Sequence, residues 1–282
     1  MSTQFGIDHL SLLDAAPPEF VRLAAGAGFS SVGLRVRPID QQEQRWPMDI
    51  GSPMLNETLK LLKDTGLTVG QVESVFLDEH LDVESLHRDM EIGAALKAPF
   101  LLVVGMDSDL DRLSDRFARI DELAGQYGLK GMIEPMSYRP VRTVQIALDV
   151  VSRSATGGIV TDALHFFRAG NVPVDLDVIP RERLHMAQLC DAGADPALVP
   201  RDIKAGRGQN EDVSDLQWEA RVGRLFPGDG TLDLATYVEH LPADLPISLE
   251  APDQKLLSEV GSEEFFSRAA ASMRKELDGR IP

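Results

Sequence analysis

The sequence predicts an α/β fold, a (β/α)8 barrel running over residues 1–282 as one domain, on three observations. Strand-like and helix-like segments alternate eight times in a chain of 282 residues, the length of one such barrel. Several of the strands are almost wholly apolar, PFLLVVG at 99–105 above all, as strands covered on both faces are. The first strand is followed by DAAPPEF and not by the glycine-rich phosphate loop that an open doubly wound sheet carries there.

Each element has its own signal. FGIDHLSL at 5–12 is the first strand. Pro17 and Pro18 suit a first helical turn, and FVRLAAGAGF keeps helical spacing up to Gly28. SVGLRV at 31–36 is the second strand, and the helix over 54–65 stops at Gly66, a C-capping residue. The third strand lies near 67–77, a helix near 83–97, and the fourth strand at 99–105. From 108 onwards Leu110, Leu113, Phe117, Ile120 and Leu123 fall on one helical face. Strand five is 129–135, a helix 141–154, and strand six 158–162; LDVIPRE then reads as a short helical or irregular piece. Strand seven covers 183–192. A stretch rich in Gly, Pro, Arg and Asp, about 192–230, forms a long loop between the seventh strand and its helix. Helix 231–241, strand eight at 246–252 and a helix over 262–277 close the chain.

Composition narrows the functional classes. Apolar residues make up 43% and charged residues 26%, enough for one large core. A net charge of −17 argues against nucleic acid and against anionic lipid, both of which call for a basic surface. Cys190 is the one cysteine, so no intrachain disulfide can form. The start MSTQFGIDHL lacks a basic, apolar leader, and no run is long enough for a membrane span, so the expected location is cytoplasmic.

The ends of the later strands carry the chemistry. Strand five ends at Glu134, strand six at Asp162 and strand eight at Glu250, while strand seven holds Gln188 with Asp191 just beyond. From 134 to 162 and from 162 to 188 is one strand–helix repeat each; from 188 to 250 is one repeat plus the long loop. The C-terminal strand ends of a barrel meet at one mouth, where its active site lies. Three carboxylates meeting there would repel one another, and a divalent cation relieves that; oxygen donors suit Mn²⁺ or Mg²⁺ better than Zn²⁺. The competing explanation is that acids at strand ends cap the following helices and that Gln188 bonds to backbone.

IEP at 133–135, TDALHFFRAG at 161–170, HMAQLCD at 185–191, RLFPGDG at 224–230 and ISLEAP at 247–252, supported by AAGAGFSSVGLR and IGAALKAPFLLVVG, resemble the xylose isomerase-like TIM-barrel superfamily. This group of sugar isomerases and epimerases includes tagatose 3-epimerase, hydroxypyruvate isomerase and inosose dehydratase. The resemblance implies metal ligands Glu134, Asp162, Gln188 and Glu250. Many relatives have His at the third position; His185 could take that place only in a different strand register. It also implies Mn²⁺ or Mg²⁺, with Co²⁺ and Zn²⁺ as alternatives, and no organic cofactor. Glu134 and Glu250 would be the catalytic acid–base pair. His165 would bind a substrate hydroxyl or brace a ligand, Arg224 would hold the substrate, and His185, Glu73 and His9 are further substrate-binding candidates. The loop cations Arg201, Lys204, Arg207 and Arg221 hint at an anionic substrate group. The three-zinc endonucleases of the superfamily need His-x-His pairs, and none occurs among the six histidines here.

The implied activity is isomerisation or epimerisation of a sugar or keto-acid by proton abstraction next to a carbonyl. Dehydration of a polyol ketone or a dehydroshikimate-like cyclic ketone is the lyase alternative, and a non-catalytic sugar-binding or accessory barrel the alternative of another class. The expected partner is a small-molecule carbohydrate or keto-acid, with no nucleic acid and no membrane, in a homo-dimer or homo-tetramer.

Overall fold

Eight short parallel strands pair in sequence order, and β1 (Gly6–Ile7) hydrogen-bonds to both β2 (Ser31–Arg35) and β8 (Ile247–Leu249), which closes the sheet into a barrel. Between these lie β3 (Thr68–Leu77), β4 (Phe100–Gly105), β5 (Lys130–Glu134), β6 (Gly158–Asp162) and β7 (Leu184–Leu189). A computed structural model describes residues 4–39, 43–203 and 212–278.

The helices form the outer ring: α1 (Pro17–Ala27), α2 (Pro53–Thr65), α3 (His87–Leu96), α4 (Leu110–Gly125), α5 (Val144–Val151), α6 (Ala163–Arg168), α7 (Asp215–Val222), α8 (Leu234–Glu239), α9 (Gln254–Val260) and α10 (Ser262–Glu276). Sequence chemistry sets their ends. Pro17 opens α1, Ser52 caps α2 by accepting from Leu55 N–H, and Gly28 and Gly66 close α1 and α2 at positive φ. Between sheet and helices lies the main core, with Phe20, Leu34, Phe117, Ile133, Tyr237 and Phe265 all buried in it. A second, smaller cluster of Leu102, Met132, Val160 and Met186 plugs the inside of the barrel.

That inner plug fixes which residues look inward. Side chains alternate along a strand, so residues two beyond the plug on β5, β6 and β7 point into the barrel one layer nearer the mouth. Those residues are Glu134, Asp162 and Gln188.

Three expectations change. The first strand is shorter than 5–12: after Ile7 the chain turns into a 3₁₀ segment, His9–Leu12, because Ser11 N–H bonds back to Asp8 O and Ser11 Oγ accepts from Ala251 N–H. Strands seven and eight are also shorter than expected. The long loop after β7 is not irregular throughout. It contains α7, capped by Ser214, with buried Trp218 donating from Nε1 to Pro200 O. Lys204 and Arg207 lie outside the described residues, and Arg201 is engaged by Asp215 and Val213 O. Among the described residues, no helix is long and apolar enough to cross a membrane.

Candidate active site

At the C-terminal mouth the strand ends bring five buried carboxyl groups together: Asp8 after β1, Glu73 on β3, Glu134 on β5, Asp162 on β6 and Glu250 after β8. Two buried guanidinium groups face them, those of Arg35 and Arg224. Asp8 and Arg35 were not singled out in the sequence, although Asp8 directly follows β1 and Arg35 is the last residue of β2. Gly33 leaves room for this packing, since a Cβ there would fall on Asp8 Oδ1 and Glu73 Oε1.

Arg224 is the centre of one half. It comes in on the turn after α7, anchored by Nε donating to Ala220 O at 2.9 Å. Its Nη1 donates to Asp162 Oδ2 at 2.7 Å and lies 3.0 Å from Glu250 Oε2. Its Nη2 lies 3.4 Å from His165 Nε2. The expectation of a substrate-side arginine on a loop is therefore revised: the group is fully buried among the carboxylates. The loop that delivers it, RLFPGDG, is held by Asp191, whose carboxylate accepts from the N–H groups of Ala192, Gly228, Gly230 and Leu232.

His165 follows from local chemistry. Asp162 is the N-cap of α6, and its Oδ1 accepts from His165 N–H at 2.9 Å. One helical turn then places the imidazole beside Glu134, with Nε2 at 3.7 Å from Glu134 Oε1 and Nδ1 at 3.3 Å from Ser137 Oγ. Burial pushes the imidazole down to about 3, so it is neutral. Tyr138 packs edge-on against it, ring centroids 5.3 Å apart, and desolvation pushes the phenol up to about 12.

The other half centres on Glu73. Its Oε1 accepts from His9 N–H at 2.7 Å and its Oε2 faces Arg35 Nη2 at 3.5 Å. Arg35 also donates to both oxygens of Glu43, at 2.9 and 3.0 Å. Gln188 links the halves, its amide nitrogen donating to Asp8 Oδ2 at 2.8 Å and to Glu250 Oε1 at 3.1 Å.

The charge balance is unfavourable for five ionised acids. Desolvation first, then the charge of Asp162, pushes Glu134 up to about 8; desolvation and the charge of Asp8 push Glu73 up to about 7. Desolvation raises Asp8 and carries Glu250 well above the usual carboxylate range, even though Arg224 pulls Glu250 down. A cation is the natural remedy, and the donors are there. Glu134 Oε1, Gln188 Oε1 and Asp8 Oδ1 are buried without a hydrogen-bond partner. Among the described residues, Glu134–Asp162–His165 and Asp8–Glu73–Glu250 are each close enough to share a metal ion.

Two expected substrate-binding residues are placed otherwise, His185 away from the mouth and His9 with its ring turned into the fold. His185 is the second residue of β7 and Gln188 the fifth, so they lie about 10 Å apart along the strand. His185 sits near the opposite end of the barrel, at a register irregularity, stacked on Phe100 with Nε2 at 3.0 Å from Thr156 O. It therefore does not compete with Gln188. His9 is buried, with Nε2 donating to Ala15 O and Nδ1 accepting from Arg35 N–H, so both ring nitrogens are engaged within the fold and none is left for a substrate.

The comparisons bear on the fold. No curated protein matches the sequence. In fold the chain is similar to a xylose isomerase domain-containing protein from Salmonella typhimurium LT2, at 16% identity and a TM-score of 0.73, covering 98% of each chain. It is similar to the IolI protein with a bound zinc atom, at 14% identity and a TM-score of 0.74 over 99% of each chain. It is also similar to the probable 3-DHS dehydratase AsbF of petrobactin synthesis from Bacillus anthracis, at 14% identity and a TM-score of 0.71, over 96% of this chain and 98% of that one. A fusion of such a barrel with a 4-hydroxyphenylpyruvate dioxygenase matches at 20% identity and a TM-score of 0.75, and this chain spans 45% of its length. The profile of the family described as xylose isomerase-like TIM barrel matches residues 21–276, and the chain belongs to that family.

Proposed function

We propose that this protein is a divalent-metal-dependent enzyme that removes a proton from the carbon beside a carbonyl, acting as an isomerase or epimerase on a sugar or keto-acid. The observation that carries the reading is the inward layer at the mouth. Glu134 at the end of β5 and Glu250 just after β8 are buried, Asp162 and Gln188 stand between them on β6 and β7, and two of these four side chains keep an unpartnered oxygen.

Glu134, Asp162, Gln188 and Glu250 would hold the ion, Mn²⁺ or Mg²⁺ given their oxygen donors. Bound there, it supplies Lewis-acid polarisation of the carbonyl, which acidifies the adjacent C–H. The rest of the chemistry belongs to the chain. Glu134, buried at the end of β5 beside Asp162, takes the proton once the cation holds it ionised. Glu250 returns one on the other side. Arg224 keeps Asp162 and Glu250 in place, and neutral His165 orients a substrate hydroxyl without adding a charge.

Dehydration is the second reading, and Tyr138 favours it. Its phenol packs against His165 at the mouth, a position from which it can protonate a departing β-hydroxyl, although desolvation makes it a weaker acid than a free tyrosine.

Proton exchange tests both. Ketoses, keto-acids and cyclic ketones incubated in D₂O with Mn²⁺ should exchange the proton next to the carbonyl. Glu134→Gln should slow exchange by about 10²–10⁴-fold, and Glu250→Gln should block isomerisation. Metal analysis of protein purified without chelator should find bound divalent ion. Absence of both exchange and metal would leave a non-catalytic barrel.

A further inference from the structure

The loop after β5 holds an arginine unlike the others. Among the described residues the other buried or half-buried arginines all have partners, for example Arg35 with Glu43 and Glu73, Arg37 and Arg88 with Asp89, Arg168 with Glu219, Arg224 with Asp162 and Glu250, and Arg183 with two backbone carbonyls. Arg139 does not. It is half-buried, its side chain makes no hydrogen bond or ion pair within the described residues, and its Nε is buried without a partner. Among the described residues no acid pairs with it, and desolvation, with the cation Arg221 adding to it, pulls its pKa below the ordinary value.

Its position is the second observation. Arg139 follows β5 on the mouth side of the barrel, and its guanidinium reaches across to β3, 5.9 Å from the centroid of the Phe76 ring. On its near side it lies 5.1 Å from the Tyr138 ring, which in turn packs on His165. Two aromatic rings thus flank a guanidinium for which no acceptor is found among the described residues, on the loop that follows Glu134. Aromatic faces stabilise a cation without consuming its N–H groups. A planar fork with free donors is suited to the oxygens of a carboxylate or a phosphate.

We propose that Arg139 is an anion-binding residue of the mouth and that the substrate carries a carboxylate or phosphate group at the end away from the acid–base pair. This rests on the proposed function for the identity of the site. Of the loop cations expected to attract an anion, Arg201 is taken up by Asp215, and Lys204 and Arg207 lie outside the described residues. The two ring contacts between Arg139 and His165 favour a small keto-acid or sugar phosphate over a polymer.

Three related probes test it by calorimetric titration of the Mn²⁺-loaded protein: dihydroxyacetone, hydroxypyruvate and dihydroxyacetone phosphate. The first is neutral, and the others carry a carboxylate or a phosphate. At least one anionic probe should bind about 10–100-fold more tightly than the neutral one, as a charged hydrogen-bond pair permits. Whichever it is names the anion. Arg139→Met should erase the preference and leave dihydroxyacetone binding unchanged, while Arg139→Lys should keep part of it, since charge survives without the fork. Equal affinity for neutral and anionic probes, no binding of any probe, or a preference that survives in Arg139→Met overturns the proposal. Proton exchange in D₂O, followed in the same samples, separates the two readings. An Arg139-dependent preference without exchange supports the anion site and defeats the enzymatic reading. Exchange without any such preference does the reverse.

Discussion

His9 is an imidazole that the fold holds neutral. Burial is the main cause, the charge of Arg35 adds to it, and together they outweigh the bond to Ala15 O and bring the group down to about 4 from 6.5. The sign follows. Below pH 6.5 the unfolded chain takes up a proton that the folded chain refuses, so the stability that neutral His9 contributes is present above that pH. It is lost as pH falls towards 4, about 3 kcal/mol in all. Between pH 7 and 5, urea unfolding of the wild type should therefore lose about 2 kcal/mol more than that of His9→Gln. Equal losses would mean that the imidazole is not held neutral. His9 and His185 also show what the sequence hides. A polar residue in a strand can be recognised, but neither its height along the barrel nor the partners that occupy it can. Glu134, Asp162, Gln188 and Glu250 were legible because a polar side chain follows an apolar run near each strand end. Arg139 was not, because what distinguishes it is the lack of a partner, a property of three-dimensional surroundings.

At the scale of elements, the turn RLFPGDG matters more than its length suggests. Asp191 gathers four backbone N–H groups and so fixes the segment that inserts Arg224 between Asp162 and Glu250. Asp191→Ala leaves several of those donors unsatisfied in a closed site. Its expected cost is about 3 kcal/mol, read as a fall in melting temperature, with faster limited proteolysis near 224–232. A variant of wild-type stability and protease resistance would show that other contacts hold the turn. Gly230 belongs to the same device, since a Cβ there would collide with Ala192 O and Asp191 Oδ1. Most elements could be placed from periodicity and from Pro and Gly punctuation. Helix α7 could not, because DLQWEARV sits in a stretch whose glycines and prolines speak for a loop. Its Ser214 cap and the Trp218 bond to Pro200 O supply the order that composition does not announce.

For the whole molecule, closure of the barrel was legible from counting: eight alternations with apolar strands leave few other architectures. The net charge of −17 has a consequence for stability. Surface acids repel one another in the folded chain more than in the expanded one, and salt screens that repulsion over about 10 Å at 0.1 M. The melting temperature should rise as NaCl goes from about 0.02 to about 0.3 M at neutral pH, where the Debye length becomes shorter than typical charge spacings. A fall would mean that the exposed ion pairs, such as Arg22–Glu19 and Arg268–Glu264, contribute more than the repulsion costs.

Arg224 bears on the order of events in the life of the chain. Because its guanidinium already lies between Asp162 and Glu250, the barrel brings its own counter-charge to the most crowded point of its interior. Closing the fold is then not contingent on a supply of ions. A newly made chain can reach its final shape with those two carboxylates already balanced, whatever ions surround it.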